Sequence, residues 1–331
     1  MRSLLLYLLL GLSVTALAAQ AAVPDSDRDG LSDADETELL AQFAPHLMVS
    51  VEDCSHLPAR FTPLVAMPTA EADDGTLYGQ ATPHTAGTGQ AREVELHFYH
   101  LWRTDCGRMG HALDAEHVSA LVRRNANAQW TAVYWYAAAH EDTVCDASQI
   151  ARAATLHAEV HGPFVWVSRG KHASFLSDSL CTHGCGGDRC ETMQPVSATA
   201  PINIGERGEP MNGAVWIDAP SWPLAAKLAR SDFSAERTAR LDRLPATDIA
   251  WANPEKRPVE AVILGGSGAL DGGATGFRAT NTALVVADTQ TSNALDRATS
   301  KTGRALAKTF HGVKKFLGAD AQKDSSTGQQ P

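Results

Sequence analysis

The chain has 331 residues, with 28 Lys and Arg against 38 Asp and Glu, a formal net charge of −10. Nucleic acid is therefore excluded as an expected partner, because a phosphate backbone is held by clustered cations that an acidic chain does not supply. The length suits one large domain or two small ones.

The N-terminal stretch MRSLLLYLLLGLSVTALAAQA has one Arg, a short apolar run and small-residue cleavage options at Ala16/Ala18 and Ala19/Ala21. Residues 1–21 read as a secretory signal peptide. No Cys stands at the cleavage point to carry a lipid, and no later apolar run approaches the ~18 residues of a membrane-spanning helix. The expected location is secreted or periplasmic.

The next segment, residues 22–45, contains DSDRDGLSDADE. It sets Asp25, Asp27, Asp29 and Asp33 at positions 1, 3, 5 and 9 of a calcium loop and Gly30 at the sharp turn. Leu31 offers its carbonyl at position 7, and Glu36 is the closing carboxylate at position 12. Ca2+ is the expected ion. The exiting helix is ETELLAQF, which stops before Pro45, and almost no chain is left for an entering helix. The loop thus resembles the half-hands of dockerins and thrombospondin type 3 repeats, which implies a structural ion that pins the N-terminus.

Residues 46–255 read as a β-sandwich domain. ELHFYHLW, WTAVYWYAAA, FVWVSRG and AVWIDA are short aromatic and β-branched runs between Gly, Asn and Asp clusters, and SWPLAAKLARSDF reads as a short helix. The expected class is mainly β: an antiparallel β-sandwich with short peripheral helices and a C-terminal helical tail. In an oxidising compartment the six cysteines Cys54, Cys106, Cys145, Cys181, Cys185 and Cys190 favour three disulfides, with the pairing open. CTHGCGGDRC also has the residue types of a zinc knuckle, with His183 as a further ligand, but lacks paired CxxC spacing.

Within the sandwich, GHALDAEHV gathers His111, Asp114, Glu116 and His117. The two histidines are six apart, so they do not share a helical face as in a zinc protease. Taken as a strand, Asp114 and Glu116 share a face with Val118, Ala120 and Val122, while His117, Ser119 and Arg123 share the other. Two carboxylates about 7 Å apart at the edge of an apolar core must be protonated, paired with a cationic side chain, or bound to a metal. Two carboxylates with one imidazole favour a hard divalent ion, Mg2+, Ca2+ or Mn2+.

The pattern G-H-x-x-D-x-E-H-V resembles the metal heptapeptide of the necrosis- and ethylene-inducing-like proteins, secreted β-sandwich cytolysins. The preceding FYHLWRTD resembles the strand that ends in a further Asp ligand, which implies Asp105, His111, Asp114 and Glu116 as one second divalent site. Leu113 and Ala115 depart from the heptapeptide. ELLAQFAPHL, the DAEHV strand, VSRGKHASF and NIGERGEP also resemble the family named after vacuolar protein sorting protein 62, which implies that His172 lines the same cleft; a lone His there equally suits a hydrogen-bonded structural residue, and His117 is a further cleft candidate. The two resemblances together cover residues 36–225.

The remaining constellations are weak. Ser168 and Ser174 flank His172 without a nucleophile elbow, HED at 140–142 reads as a turn, and GGSGALDGG lacks the Lys of a phosphate loop. Residues 256–290 read as a Gly-rich linker. In the tail, 291–331, Leu295, Ala298, Thr302, Leu306, Phe310, Val313 and Leu317 recur at helical spacing among Arg and Lys, so residues 291–318 form a basic amphipathic segment suited either to docking on the acidic sandwich or to an anionic membrane surface. Three functions from different classes stand. The first, which is favoured, is an exported divalent-metal-dependent binding protein for a sugar, phosphate or lipid headgroup, cytolysin-like in outline. The others are a hydrolase in which a metal-activated water works with Glu116 or His117 as base, and a structural envelope protein with stabilising metals. Whether the chain is an enzyme stays open.

Overall fold

The computed structural model describes residues 23–84, 93–107, 110–182, 184–185, 187–219, 227–228, 230–256 and 262–263. The segments read as signal peptide and basic tail, nearly all of the linker, His183, and most of the helix expected over 221–233 lie outside the described residues.

The chain opens with the acidic loop and helix α1 (Asp33–Gln42), capped by Ser32, whose hydroxyl accepts the Asp35 N–H at 3.1 Å. Strands β1 (His46–Ser50), β2 (Ala59–Phe61), β3 (Ala70–Asp73) and β4 (Leu77–Pro83) follow. The long central strands are β5 (Glu93–Thr104), β6 (Ala112–Arg124) and β7 (Trp130–Ala137), then β8 (Gln149–Arg152), β9 (Phe164–Val167) and β10 (Ser174–Phe175). After α2 (Asp178–Thr182) come β11 (Met193–Pro195), β12 (Ile202–Asn203), β13 (Gly205–Glu206) and β14 (Glu209–Pro210). Helix α3 (Ala235–Leu241) precedes β15 (Ile249–Trp251) and β16 (Val262–Ile263), the last falling inside the stretch read as linker.

An eight-stranded sheet runs β12-β4-β5-β6-β7-β8-β15-β16, and a four-stranded sheet runs β10-β9-β1-β11. Mainly β architecture is thus as expected, and the pairing is antiparallel except at β1–β9 and β12–β4. Those two pairs join strands from distant parts of the chain, where no hairpin dictates direction.

One face of the large sheet, carrying Leu96, Phe98, Trp102, Val118, Ala120, Val122 and Trp135, packs with Leu47, Val49, Val165 and Val167 of the small sheet and with Leu39, Leu40 and Phe43 of the helix region. This is the main core, and its alternation is the period of 2 that a pleated strand imposes. The opposite face is also covered. Tyr78, Tyr99 and Leu101 pack with Ile204, Trp216 and Ile217, while Leu121, Tyr134, Tyr136 and Ile150 pack with Phe233 and Leu241.

AVWIDA is not a strand. Val215–Asp218 is a 3-10 turn that buries the consecutive residues Trp216 and Ile217. Burying two neighbours on one side is what a tight helical turn does and a strand cannot. The six cysteines form Cys54–Cys106, Cys145–Cys185 and Cys181–Cys190.

Candidate functional site

The acidic loop wraps around a point lined with oxygen. Gly30 turns the chain at φ +97° and donates its N–H to Asp25 Oδ2 at 3.2 Å, while Leu31 donates to Asp29 Oδ1 at 2.7 Å. Each bond ties up one oxygen of its carboxylate. The others, Asp25 Oδ1 and Asp29 Oδ2, are buried without a hydrogen-bond partner, as are Asp27 Oδ1 and Glu36 Oε1. Asp25, Asp27 and Asp29 have ligand atoms within 4.8 Å of one another. Burial first, then the charges of Asp27 and Asp29, push Glu36 up to about 8. Burial first, and then Asp27, Glu206 and Asp25, push Asp29 up to about 7 against the Leu31 hydrogen bond. Carboxylates held this close are costly as anions unless a cation joins them. Asp33 stands apart from the group: its oxygens accept the Ser26 N–H and Oγ–H, both at 2.7 Å, and cap the loop from outside. The Leu31 side chain packs into the main core.

GHALDAEHV lies at the start of β6, and the expected alternation holds, but the four acids and imidazoles do not gather. His111 is exposed, 3.7 Å from Asp105. Asp105 instead takes the Lys171 ammonium at 2.8 Å and the Gly107 N–H at 2.7 Å. Asp114 accepts His172 Nδ1 at 3.0 Å, and Glu116 pairs with Lys227 at 3.3 Å. Among the described residues, the groups whose ligand atoms lie within 4.8 Å of one another do not include this set. The structure therefore presents the paired solution to the like-charge problem, with Lys227 and His172 as the cations.

His172 does not line an open cleft. It is fully buried, at φ +53°, stacked on Trp102 at 4.2 Å between centroids, with Nε2 3.4 Å from Asp53. Burial pulls its imidazole down, but Asp114 and Asp53 outweigh that and raise it to about 9. It is a structural imidazolium. His100 nearby is the converse: burial lowers it to about 3, and the neutral ring accepts from Trp102 Nε1 at 2.9 Å.

A cavity of about 440 Å³ opens on the opposite face of the large sheet. Gln80 and Thr82 on β4 and Glu95 and His97 on β5 form its floor, while Glu206 of β13, Arg230 and Ser231 close its sides. Glu206 accepts from Gln80 at 3.0 Å and Thr82 at 2.7 Å. Although burial opposes it, hydrogen bonds from His84 and His97 hold Glu95 down at about 2, so that carboxylate stays ionised. Arg230 is already neutralised by Glu141 and Asp142.

Asn203 ties the cavity to the acidic loop. Asn203 donates to Glu36 Oε2 at 2.9 Å, and its own oxygen accepts the Gly205 N–H at 3.1 Å, immediately before Glu206. Sequence reasoning missed this cavity. Its one legible trace is the alternation of Glu95, His97 and Tyr99 along β5, polar positions that read as a solvated face until a remote segment covers them.

No protein-family model and no curated relative matches the chain. It is similar to NLPPya solved in complex with glucosamine, at 17% identity and a TM-score of 0.33, over 67% of this chain and 98% of that one. It is similar as well to the necrosis and ethylene inducing protein 2 from the causal agent of cocoa's witches' broom disease, at 14% identity and a TM-score of 0.34, over 63% of this chain and 99% of that one. A structure described as a toxin fold for microbial attack and plant defense gives 16% identity and a TM-score of 0.35, over 67% of this chain and 98% of that one.

Proposed function

We propose that the protein is an exported, calcium-dependent binding protein whose ligand is a sugar held in the cavity above β4 and β5. The observation that carries this reading is Asn203, which links the closing carboxylate of the acidic loop to the strand bearing Glu206. A cation drawn to Asp25, Asp27, Asp29 and Glu36 fixes Glu36, hence Asn203, hence one wall of the cavity. A volume of about 440 Å³ falls in the range of small-ligand sites. Its lining is amide, hydroxyl, imidazole and carboxylate, groups that hydrogen-bond a ring of hydroxyls in both directions.

Electrostatics favour a sugar among the three headgroups considered from sequence. A phosphate or anionic lipid headgroup entering the cavity meets ionised Glu95 and an Arg230 whose charge is already spent on two carboxylates. A neutral or amino sugar meets no such penalty. Because the polar side chains stand on paired strands, they are held in place before the ligand arrives, which lowers the ordering cost of binding.

A glycan array probed with the full chain in calcium and again in chelator tests the reading. Retention of a defined set of glycans in calcium is expected, at least about tenfold weaker in chelator and in Glu206→Ala, about 1.4 kcal/mol. Binding that ignores calcium, or that survives Glu206→Ala in a folded protein, overturns it.

A further inference from the structure

Beneath the cavity, on the same face of the sheet, three side chains from remote parts of the chain converge: His97 on β5, His117 on β6 and Asp232 from the segment before α3. The register sets Tyr99 opposite His117 and His97 opposite Ser119, so the two imidazoles are diagonal neighbours on one face. All three residues are at most 3% exposed.

Their hydrogen bonding is incomplete in a patterned way. His97 Nε2 faces the Glu95 carboxylate at 3.4 Å, while its Nδ1 has no hydrogen-bond partner and faces Asp232 Oδ2 at 3.6 Å. His117 Nε2 lies 3.1 Å from the same oxygen, and His117 Nδ1 is also without a partner. Asp232 Oδ2 accepts the Ser119 hydroxyl at 2.5 Å, which leaves Oδ1 buried and unpartnered. The unpartnered His97 Nδ1 and the His117 Nε2 thus both face one oxygen, Asp232 Oδ2, and a buried nitrogen left without a partner forfeits its hydration without replacement.

We propose that His97, His117 and Asp232 form a metal site for a first-row divalent ion of the zinc class. Ligand atoms of a tetrahedral zinc centre, at ~2.0–2.1 Å from the metal, are about 3.3 Å from one another, and the separations of 3.1 and 3.6 Å to Asp232 bracket that value. Two imidazoles with one carboxylate select a zinc-class ion over the hard calcium that suits the all-oxygen loop. The outer contacts also fit. Glu95 takes the far nitrogen of His97, which fixes the tautomer with Nδ1 free to ligate, and Ser119 orients Asp232. His97 lines the cavity, so an ion has an approach. The site does not depend on what the cavity holds.

The test uses the full-length, untagged, chelator-stripped protein in saturating calcium, dialysed against zinc and then assayed by mass spectrometry of metals. About one zinc per chain is expected. His117→Gln and Asp232→Asn should each remove it, while Asp114→Asn should keep it. Zinc retained undiminished by folded His117→Gln and Asp232→Asn overturns the proposal, as does a folded wild type that takes up none. Should both variants fail to fold, X-ray absorption of the zinc-loaded wild type decides. Outer-shell scattering from two imidazoles supports the site, and zinc bound with one imidazole or none is adventitious and overturns it.

Discussion

His172 carries its charge in the interior because Asp53 on one side and Asp114 on the other require it. Its folded value is about 9, above the ordinary 6.5, so the folded state holds a proton that the unfolded state releases between those values. The stabilisation is fully present below pH 6.5 and is lost as pH rises through about 9, amounting to about 3 kcal/mol for this group. Urea denaturation at pH 6.5 and pH 9.5 should show the drop in wild type and a clearly smaller one in His172→Gln. His172→Leu leaves two buried carboxylates unpaired and should cost about 3–5 kcal/mol at neutral pH. A second residue separates repulsion from metal binding. Glu36→Gln keeps an oxygen for Asn203 but removes one of the crowded charges. In chelator it should therefore be neutral or stabilising, and it should lack the gain of about 2.7 kcal/mol that the proposed calcium site predicts for wild type at ~100 times the dissociation constant. Parallel melts with and without calcium read both effects.

At the scale of elements, periodicity was a good guide and coverage was not. The alternation in β5 and β6 sorts Phe98, Trp102, Val118 and Ala120 to the main core, as the sequence pattern implies. It equally sorts Glu95, His97, His117 and Ser119 to the other face, which looks solvent-facing in a local reading. What buries that face is Asp232, Phe233 and α3, more than a hundred residues downstream of both strands, and no local pattern announces such a partner. GHALDAEHV teaches the same lesson. Its spacing states that two carboxylates share a face, but Lys227 and His172, which pair with them, lie 111 and 58 residues further along the chain. The crowding of Asp25, Asp27 and Asp29 was legible because the three are local, whereas Asp33, expected at position 9, turns to Ser26 instead. The α1–β1 connection offers an independent check on packing. A Cβ on Gly162 would sit 1.9 Å from the Ala44 carbonyl oxygen, beside the bond from His46 N–H to Pro163 at 2.9 Å. Gly162→Ala should force the turn away from β9 and cost at least about 2 kcal/mol, read as a lowered denaturant midpoint with unchanged m-value.

For the molecule as a whole, Cys54–Cys106 ties the segment after β1 to the end of β5, Cys145–Cys185 ties the segment after α2 to the β7–β8 connection, and Cys181–Cys190 ties α2 to the segment before β11. Cys54–Cys106 and Cys145–Cys185 close separations of 52 and 40 residues, and Cys181–Cys190 one of 9. Loop entropy assigns the two long bridges about 4 kcal/mol each and the short one about 2.6 kcal/mol. Their total is comparable with the whole stability of a typical domain. Reduction should therefore unfold the protein near physiological temperature, seen as loss of near-ultraviolet circular dichroism, and thiol counting on the unreduced, denatured chain should find none free.

The proposed function makes calcium at the acidic loop the event that pins the N-terminus and shapes the cavity. Calorimetric titration of calcium into the chelator-stripped full-length chain should register a single binding event per molecule, abolished in folded Asp29→Ala and in Glu36→Gln, and unaffected by Asp114→Asn. A folded wild type that takes up no calcium, or calcium binding that survives loss of Asp29 and Glu36, contradicts it.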